Sequence, residues 1–144
     1  MKKYYLAAAC LGVVLLTGCT TVNSAWSQRY LFDGSSSASI QQMNAQQLYA
    51  VPSNDLCAAY SGTMSPLIKD EIQRRGLIIN QDNWTNVTNS KTWTGMTLCQ
   101  LLASQGKPDT VVKGQTMIEL DYSATAYQVE NGEVTRIAPV TPAK

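Results

Sequence analysis

Thr116-Met117-Ile118-Glu119-Leu120-Asp121-Tyr122, followed by Thr125-Ala126-Tyr127-Gln128-Val129-Glu130-Asn131-Gly132-Glu133-Val134, is the stretch that decides the fold. Its side chains alternate with period two. Ile118, Leu120 and Tyr122 fall on one side and Glu119 and Asp121 on the other, and Tyr127 and Val129 resume the pattern after a short break. That period marks strands with one face on a core and one in water. Asn131-Gly132 separates two such runs, and both residue types accept the positive φ of a two-residue type I′ turn. Val134 to Ala138 forms the returning strand, and Val111-Val112 reads as a brief strand ahead of the run. Pro139 and Pro142 end the order, so residues 139–144 are expected to be a disordered tail.

Upstream of residue 106 the period lengthens to that of a helix. Thr97 should cap a helix over residues 98–104 with Leu98, Leu101 and Leu102 buried, and Gly106-Lys107-Pro108 stops it. An earlier helix starts near Ser65-Pro66, with proline in its first turn and Leu67, Ile68, Ile72 and Leu77 as its apolar stripe. Asp70 and Glu71 lie early and Arg74 and Arg75 late, which suits the helix dipole, and Gly76 ends it. Ser53-Asn54-Asp55 offers N-cap chemistry for a helix from Leu56 to Tyr60, and Asn44 to Val51 carries a short helical pattern stopped by Pro52. Trp84 and Val87 imply a further short turn of helix packing inward. Helices followed by a meander predict an α+β fold, with N-terminal helices packed on a three-stranded antiparallel β-meander.

The chain begins with a different signal. Lys2 and Lys3 precede an apolar run, Tyr4 to Leu16, which at about 13 residues is short of the roughly 20 that a spanning helix needs. The run ends in Leu16-Thr17-Gly18-Cys19, the pattern of a bacterial lipoprotein signal peptide. Residues 1–18 are expected to be removed and Cys19 to carry the lipid. Thr20, where an aspartate would favour the inner membrane of a Gram-negative host, points to the outer membrane with the domain facing the periplasm. Residues 19–46, rich in Ser, Gln, Asn and Thr, read as the lipidated tether, and 47–138 as the binding domain. Trp26, Tyr30, Leu31 and Phe32 interrupt the tether. They serve either to dock a partner or to hook onto their own domain.

Four cysteines and no histidine are present. Cys10 leaves with the signal and Cys19 is acylated, which leaves Cys57 and Cys99 in an oxidising compartment. A disulfide between them is predicted, the alternative being two buried thiols. It closes a loop of about 43 residues, worth about 4 kcal/mol in the chain-entropy description. Removing Lys2 and Lys3 from the 11 basic residues leaves nine against 10 acidic ones. With no basic patch, nucleic acid is not expected as a partner.

Gly95-Met96-Thr97, Leu101-Leu102, Gly106-Lys107-Pro108-Asp109, a strand ending in Tyr122, and Tyr127 to Val134 with Ile137 follow one another behind the lipoprotein signal. In that order they resemble the SmpA/OmlA (BamE-like) outer-membrane lipoproteins over residues 93–138. The resemblance implies two helices against a three-stranded antiparallel sheet. It also implies a protein-binding role, as a scaffold or accessory factor in envelope assembly. The chain lacks the Gln-Gly-Asn segment of the barrel-assembly member and inserts Leu56 to Trp84, so it reads as a divergent relative. The fold also resembles inhibitors that clamp enzymes, which leaves an inhibitor or immunity-type lipoprotein as an alternative. A structural lipoprotein of a secretion or conjugation apparatus is a third.

Without histidine there is no imidazole-based triad or metal site, and no Gly-rich phosphate loop occurs. Asp70 and Glu71 are sequence neighbours, roughly 100° apart on a helix, and read as a solvated face rather than an acid/base pair. No enzyme activity, cofactor, metal or small-molecule substrate is expected. The partners expected are the membrane, through the lipid, and another envelope protein. Trp93, Tyr127, Arg74 and Arg75 are the candidate contacts: tryptophan is enriched at interface hot spots, Tyr127 sits on the sheet, and Arg74 and Arg75 with Lys69 form either a partner-facing patch or simply the wet side of their helix. Trp84 is expected inside and Trp93 at the rim. The sheet face that the helices leave open is the natural binding surface.

Overall fold

A computed structural model describes residues 31–140. The signal peptide, Cys10, Cys19, Trp26, Tyr30 and residues 141–144 lie outside the described residues. Among the described residues six helices, α1 (Ser37–Gln41), α2 (Ala45–Leu48), α3 (Ser53–Tyr60), α4 (Pro66–Arg74), α5 (Gln81–Thr88) and α6 (Leu98–Gln105), precede four strands. The strands β1 (Thr110–Lys113), β2 (Met117–Tyr122), β3 (Thr125–Glu130) and β4 (Glu133–Pro139) form one antiparallel sheet in that order. The class is the α+β expected. The sheet has four strands rather than three, because the brief Val111-Val112 strand extends and pairs fully with β2, Val111 opposite Leu120.

Local chemistry explains most element ends. The Thr97 hydroxyl accepts from the Gln100 N–H while the Gln100 side chain accepts from the Thr97 N–H, a reciprocal cap that starts α6. Pro66 opens α4. At its other end Gly76 takes φ +69, so that Leu77 N–H reaches Ile72 C=O and Gly76 N–H reaches Gln73 C=O, closing the last carbonyls of the helix. Asn131 and Gly132, at φ +52 and +83, make the two-residue turn that pairs Glu130 with Glu133. The expected cap at Ser53-Asn54-Asp55 is not formed. The helix already runs from Ser53, Pro52 precedes it, and Asp55 lies inside the first turn with other partners.

One hydrophobic core joins helices and sheet. Its helical half holds Leu56, Ile68, Ile72, Leu101, Leu102 and Trp84, and its sheet half Val111, Leu120, Tyr127, Val129 and Val134. Trp84 is buried, as expected. Its indole N–H donates to Ile78 C=O at 3.0 Å, and its ring meets Tyr60 edge-on at 5.2 Å. Leu67 corrects the proposed α4 stripe: it is 48% exposed, and the inward positions are Ile68, Glu71 and Ile72. Cys57 on α3 and Cys99 on α6 are disulfide-bonded, pinning together the two helices at the centre of the helical layer.

The tether boundary moves as well. Residues 31–46 do not stand apart from the domain: Leu31, Phe32 and Ile40 are buried in the same core. Of the two readings of the aromatic stretch, the hook onto its own domain describes Leu31 and Phe32. Polar contacts fix this arm. The buried Asp55 carboxylate accepts from Asp33 N–H at 3.0 Å and from Lys107 Nζ at 2.9 Å. Lys107 Nζ also donates to Ser35 C=O at 2.6 Å and sits over the Phe32 ring at 4.7 Å. Asn54 and Gln41 side chains add bonds to Leu31 C=O and Ala59 C=O.

Candidate binding surface

Strand parity divides the sheet into two faces. Val111, Leu120, Tyr127, Val129 and Val134 point to the helices. Their neighbours form the other face, which no described helix covers. Cross-strand pairing arranges that face in rows: Val112, Glu119, Gln128 and Arg136 in one, and Thr110, Asp121, Ala126 and Ala138 in the next. Met117, Glu130 and Glu133 form a third, towards the Asn131-Gly132 turn.

Arg136 reaches this face through a bulge. The register shifts between Gln128 and Val129, so Val134 pairs with Val129 but Arg136 pairs with Gln128, leaving Thr135 as the extra residue. One extra residue inverts the parity of the rest of β4. Arg136 therefore turns outward and Ile137 comes opposite Tyr127.

Between β2 and the end of β4 the face is hollowed into a concavity of about 320 Å³. Ala126 and Ala138 are short where Glu119, Asp121, Gln128 and Arg136 are long, and this difference makes the hollow. Gln128 Nε2 donates to Glu119 Oε2 at 3.1 Å. Burial, and then the neighbouring Glu119 carboxylate, hold the Asp121 carboxyl above its ordinary value. Opposite, on the core face, burial drives the Tyr122 hydroxyl well above the usual tyrosine range while it donates to Gly106 C=O at 2.9 Å.

The outer edge of β4 is partly covered. Gly95 N–H donates to Val134 C=O at 2.7 Å, Val134 N–H to Met96 C=O at 2.8 Å, and Leu98 N–H to Gly132 C=O at 2.8 Å. The Gly95-Met96-Thr97 motif thus lies along the first half of β4, with Gly95 at φ +90 making the turn into it.

The four expected contact residues do not form one surface. Tyr127 is only 4% exposed: it pairs with Leu120, faces the core and donates to Thr92 Oγ1 at 3.3 Å, so it is not available to a partner. Trp93 lies at the rim of the core, half-buried, as expected. Arg75 is a structural tie. Its guanidinium donates to Glu71, to Leu48 C=O at 2.8 Å and to Val51 C=O at 2.7 Å, satisfying carbonyls where the chain leaves α2. Arg74 is exposed, but it is forked onto Glu71 by two 2.7 Å bonds and stacked over Tyr49 at 4.6 Å. Glu71 is therefore not part of a solvated face. It is buried between two guanidinium groups, and its carboxyl is held at about 2, chiefly by the Arg74 hydrogen bonds.

Among the described residues no group of three or more His, Cys, Asp or Glu side chains could hold a metal ion, and no helix is long and apolar enough to cross a membrane. Comparison with protein-family models, with curated proteins and with solved structures found no match to this chain.

Proposed function

We propose that the chain is a periplasm-facing, outer-membrane lipoprotein, anchored through Cys19, whose α+β domain binds another envelope protein as a scaffold or assembly accessory. The observation that carries the reading is the Leu16-Thr17-Gly18-Cys19 signal ahead of a small domain that devotes one sheet face to its core and leaves the other open. The disulfide fits the oxidising compartment. The BamE-like resemblance of residues 93–138 supports the same role. Nothing in the domain's geometry favours a catalytic reading over a binding one.

Two measurements test it. Cys19→Ala should leave an uncleaved precursor that is absent from the outer-membrane fraction, and normal maturation of that variant would remove the anchor from the proposal. A photoreactive residue in place of Gln128, on the open face, should crosslink to an envelope protein in cells, whereas the same group at Gln73 on α4 should not. Adducts to lytic enzymes or incoming toxins would move the reading to an inhibitor. Absence of any protein adduct from both positions would remove protein binding.

A further inference from the structure

We propose that the open sheet face docks an extended segment of the partner protein bearing lysine or arginine at alternate positions. The proposal rests on the protein-binding reading above and names the chemistry of what is bound.

Among the described residues the sheet has one broad face left uncovered. The helices occupy its other face, and Gly95 to Thr97 cover the start of the β4 edge. Charge then selects the occupant. Among the described residues, Glu119, Asp121, Glu130 and Glu133 lie in the rows of this face against one cation, Arg136, although the whole chain carries a formal net charge of +1. Among the described residues neither Asp121 nor Glu119 is in an ion pair. An acidic segment would be repelled, and an apolar one would strip water from these carboxylates without replacing it. A basic segment supplies the missing charge.

Spacing selects an extended form. Glu119 and Asp121 are two apart on β2, so their side chains rise from the sheet about 7 Å apart. Alternate residues of an extended chain repeat at the same distance, and two successive cationic side chains can meet both carboxylates. The hollow of about 320 Å³ over Ala126 and Ala138 offers a long side chain room beside Asp121, which lines it. Lys and Arg suit such a site because their methylene stems cover apolar floor while the charged end meets oxygen.

The test uses the full chain in a nonionic detergent, with alanine methyl groups ¹³C-labelled. The probes are a short peptide alternating lysine with threonine and its glutamine-for-lysine counterpart. The lysine peptide should give saturable shifts of the Ala126 and Ala138 methyls. The glutamine peptide should bind about tenfold more weakly, as should the lysine peptide to an E119Q/D121N double variant. Raising ionic strength should weaken binding. Arg136→Gln removes the face's own cation and should strengthen binding, a gain that a folding defect cannot mimic.

Equal binding of the two peptides, or shifts confined to the core alanines Ala58, Ala59 and Ala103, would overturn the proposal. So would shifts of Ala126 and Ala138 with protein concentration alone, which would assign the face to a second copy. Binding seen only after deletion of residues 141–144 would assign it to the chain's own tail. In-cell crosslinks from another surface, with no peptide bound here, would leave the protein-binding reading standing and remove only this one.

Discussion

Glu71→Gln should destabilise the domain by about 2 kcal/mol at neutral pH, and the loss should disappear in acid. Glu71 Oε1 accepts from Arg74 Nη2 and Arg75 Nε, and Oε2 from Arg74 Nε, each at 2.7 Å. These bonds carry its carboxyl from 4.5 to about 2. At 1.36 kcal/mol per pH unit that displacement is worth at most about 3 kcal/mol. Water screens part of it, because the Arg74 side chain is 55% exposed, whereas Arg75 at 16% keeps most of its share. The sign follows from a depressed carboxyl. Its stabilisation is complete above 4.5, the unfolded value, and is lost as pH falls towards 2. Urea titrations followed by tryptophan fluorescence, on both proteins from pH 7 to pH 2, read the difference directly. At pH 7 the midpoint of the variant should fall by about 1 M, given a slope of roughly 1–3 kcal/mol per molar urea. The gap should shrink as pH falls below 4.5 and be nearly closed by about pH 2. A difference under about 0.5 kcal/mol at pH 7, the range of an ordinary surface change, would refute the reasoning. So would a gap that stays constant to pH 2.

Lys107→Met strands the buried Asp55 carboxylate and should cost about 3 kcal/mol, with faster hydrogen exchange at Asp33 and Ile40; unchanged exchange there would mean that the ion pair does not hold the arm. Replacing both Cys57 and Cys99 by serine should lower stability by about 4 kcal/mol, read by thermal unfolding, and a loss under 1 kcal/mol would mean the closed loop constrains little. Gly132→Ala places a Cβ at φ +83 and should cost about 1–2 kcal/mol in the same assay, although nothing lies within 4 Å of that Cβ.

The parts of the fold legible in the sequence are those governed by neighbours in the chain. Thr97 with Gln100, Pro66, Gly76 and Asn131-Gly132 each act within a few residues, and each stands where its chemistry requires. The arm was only half legible, its hook being one of two readings, because Leu31, Phe32 and Ile40 are scattered without a period among Ser and Gln, and their burial depends on packing against the rest of the domain. Glu71 looked solvated because its second partner, Arg75, is oriented by carbonyls at the end of α2 and just beyond it. Tyr127 was misread as a contact although its parity with Val129 already placed both on the core face. Arg136 was hidden for the opposite reason: an unsignalled bulge reverses the parity beyond Thr135, so alternation alone puts it on the wrong side.

The pinned arm also sets how much space an anchored domain can search. If Cys19 carries the lipid, as proposed, twelve residue steps would separate the membrane from Leu31, a covalent reach of at most about 40 Å at roughly 3.5 Å per residue. A tether running to residue 47 would reach about 100 Å. Accessible volume scales as the cube of reach, so under that anchoring the fixed arm would concentrate the domain roughly 13-fold within the zone next to the bilayer. Under the proposed anchoring, a weak docking surface held there would meet a membrane-embedded partner at high effective concentration and would be out of range for anything deeper in the compartment.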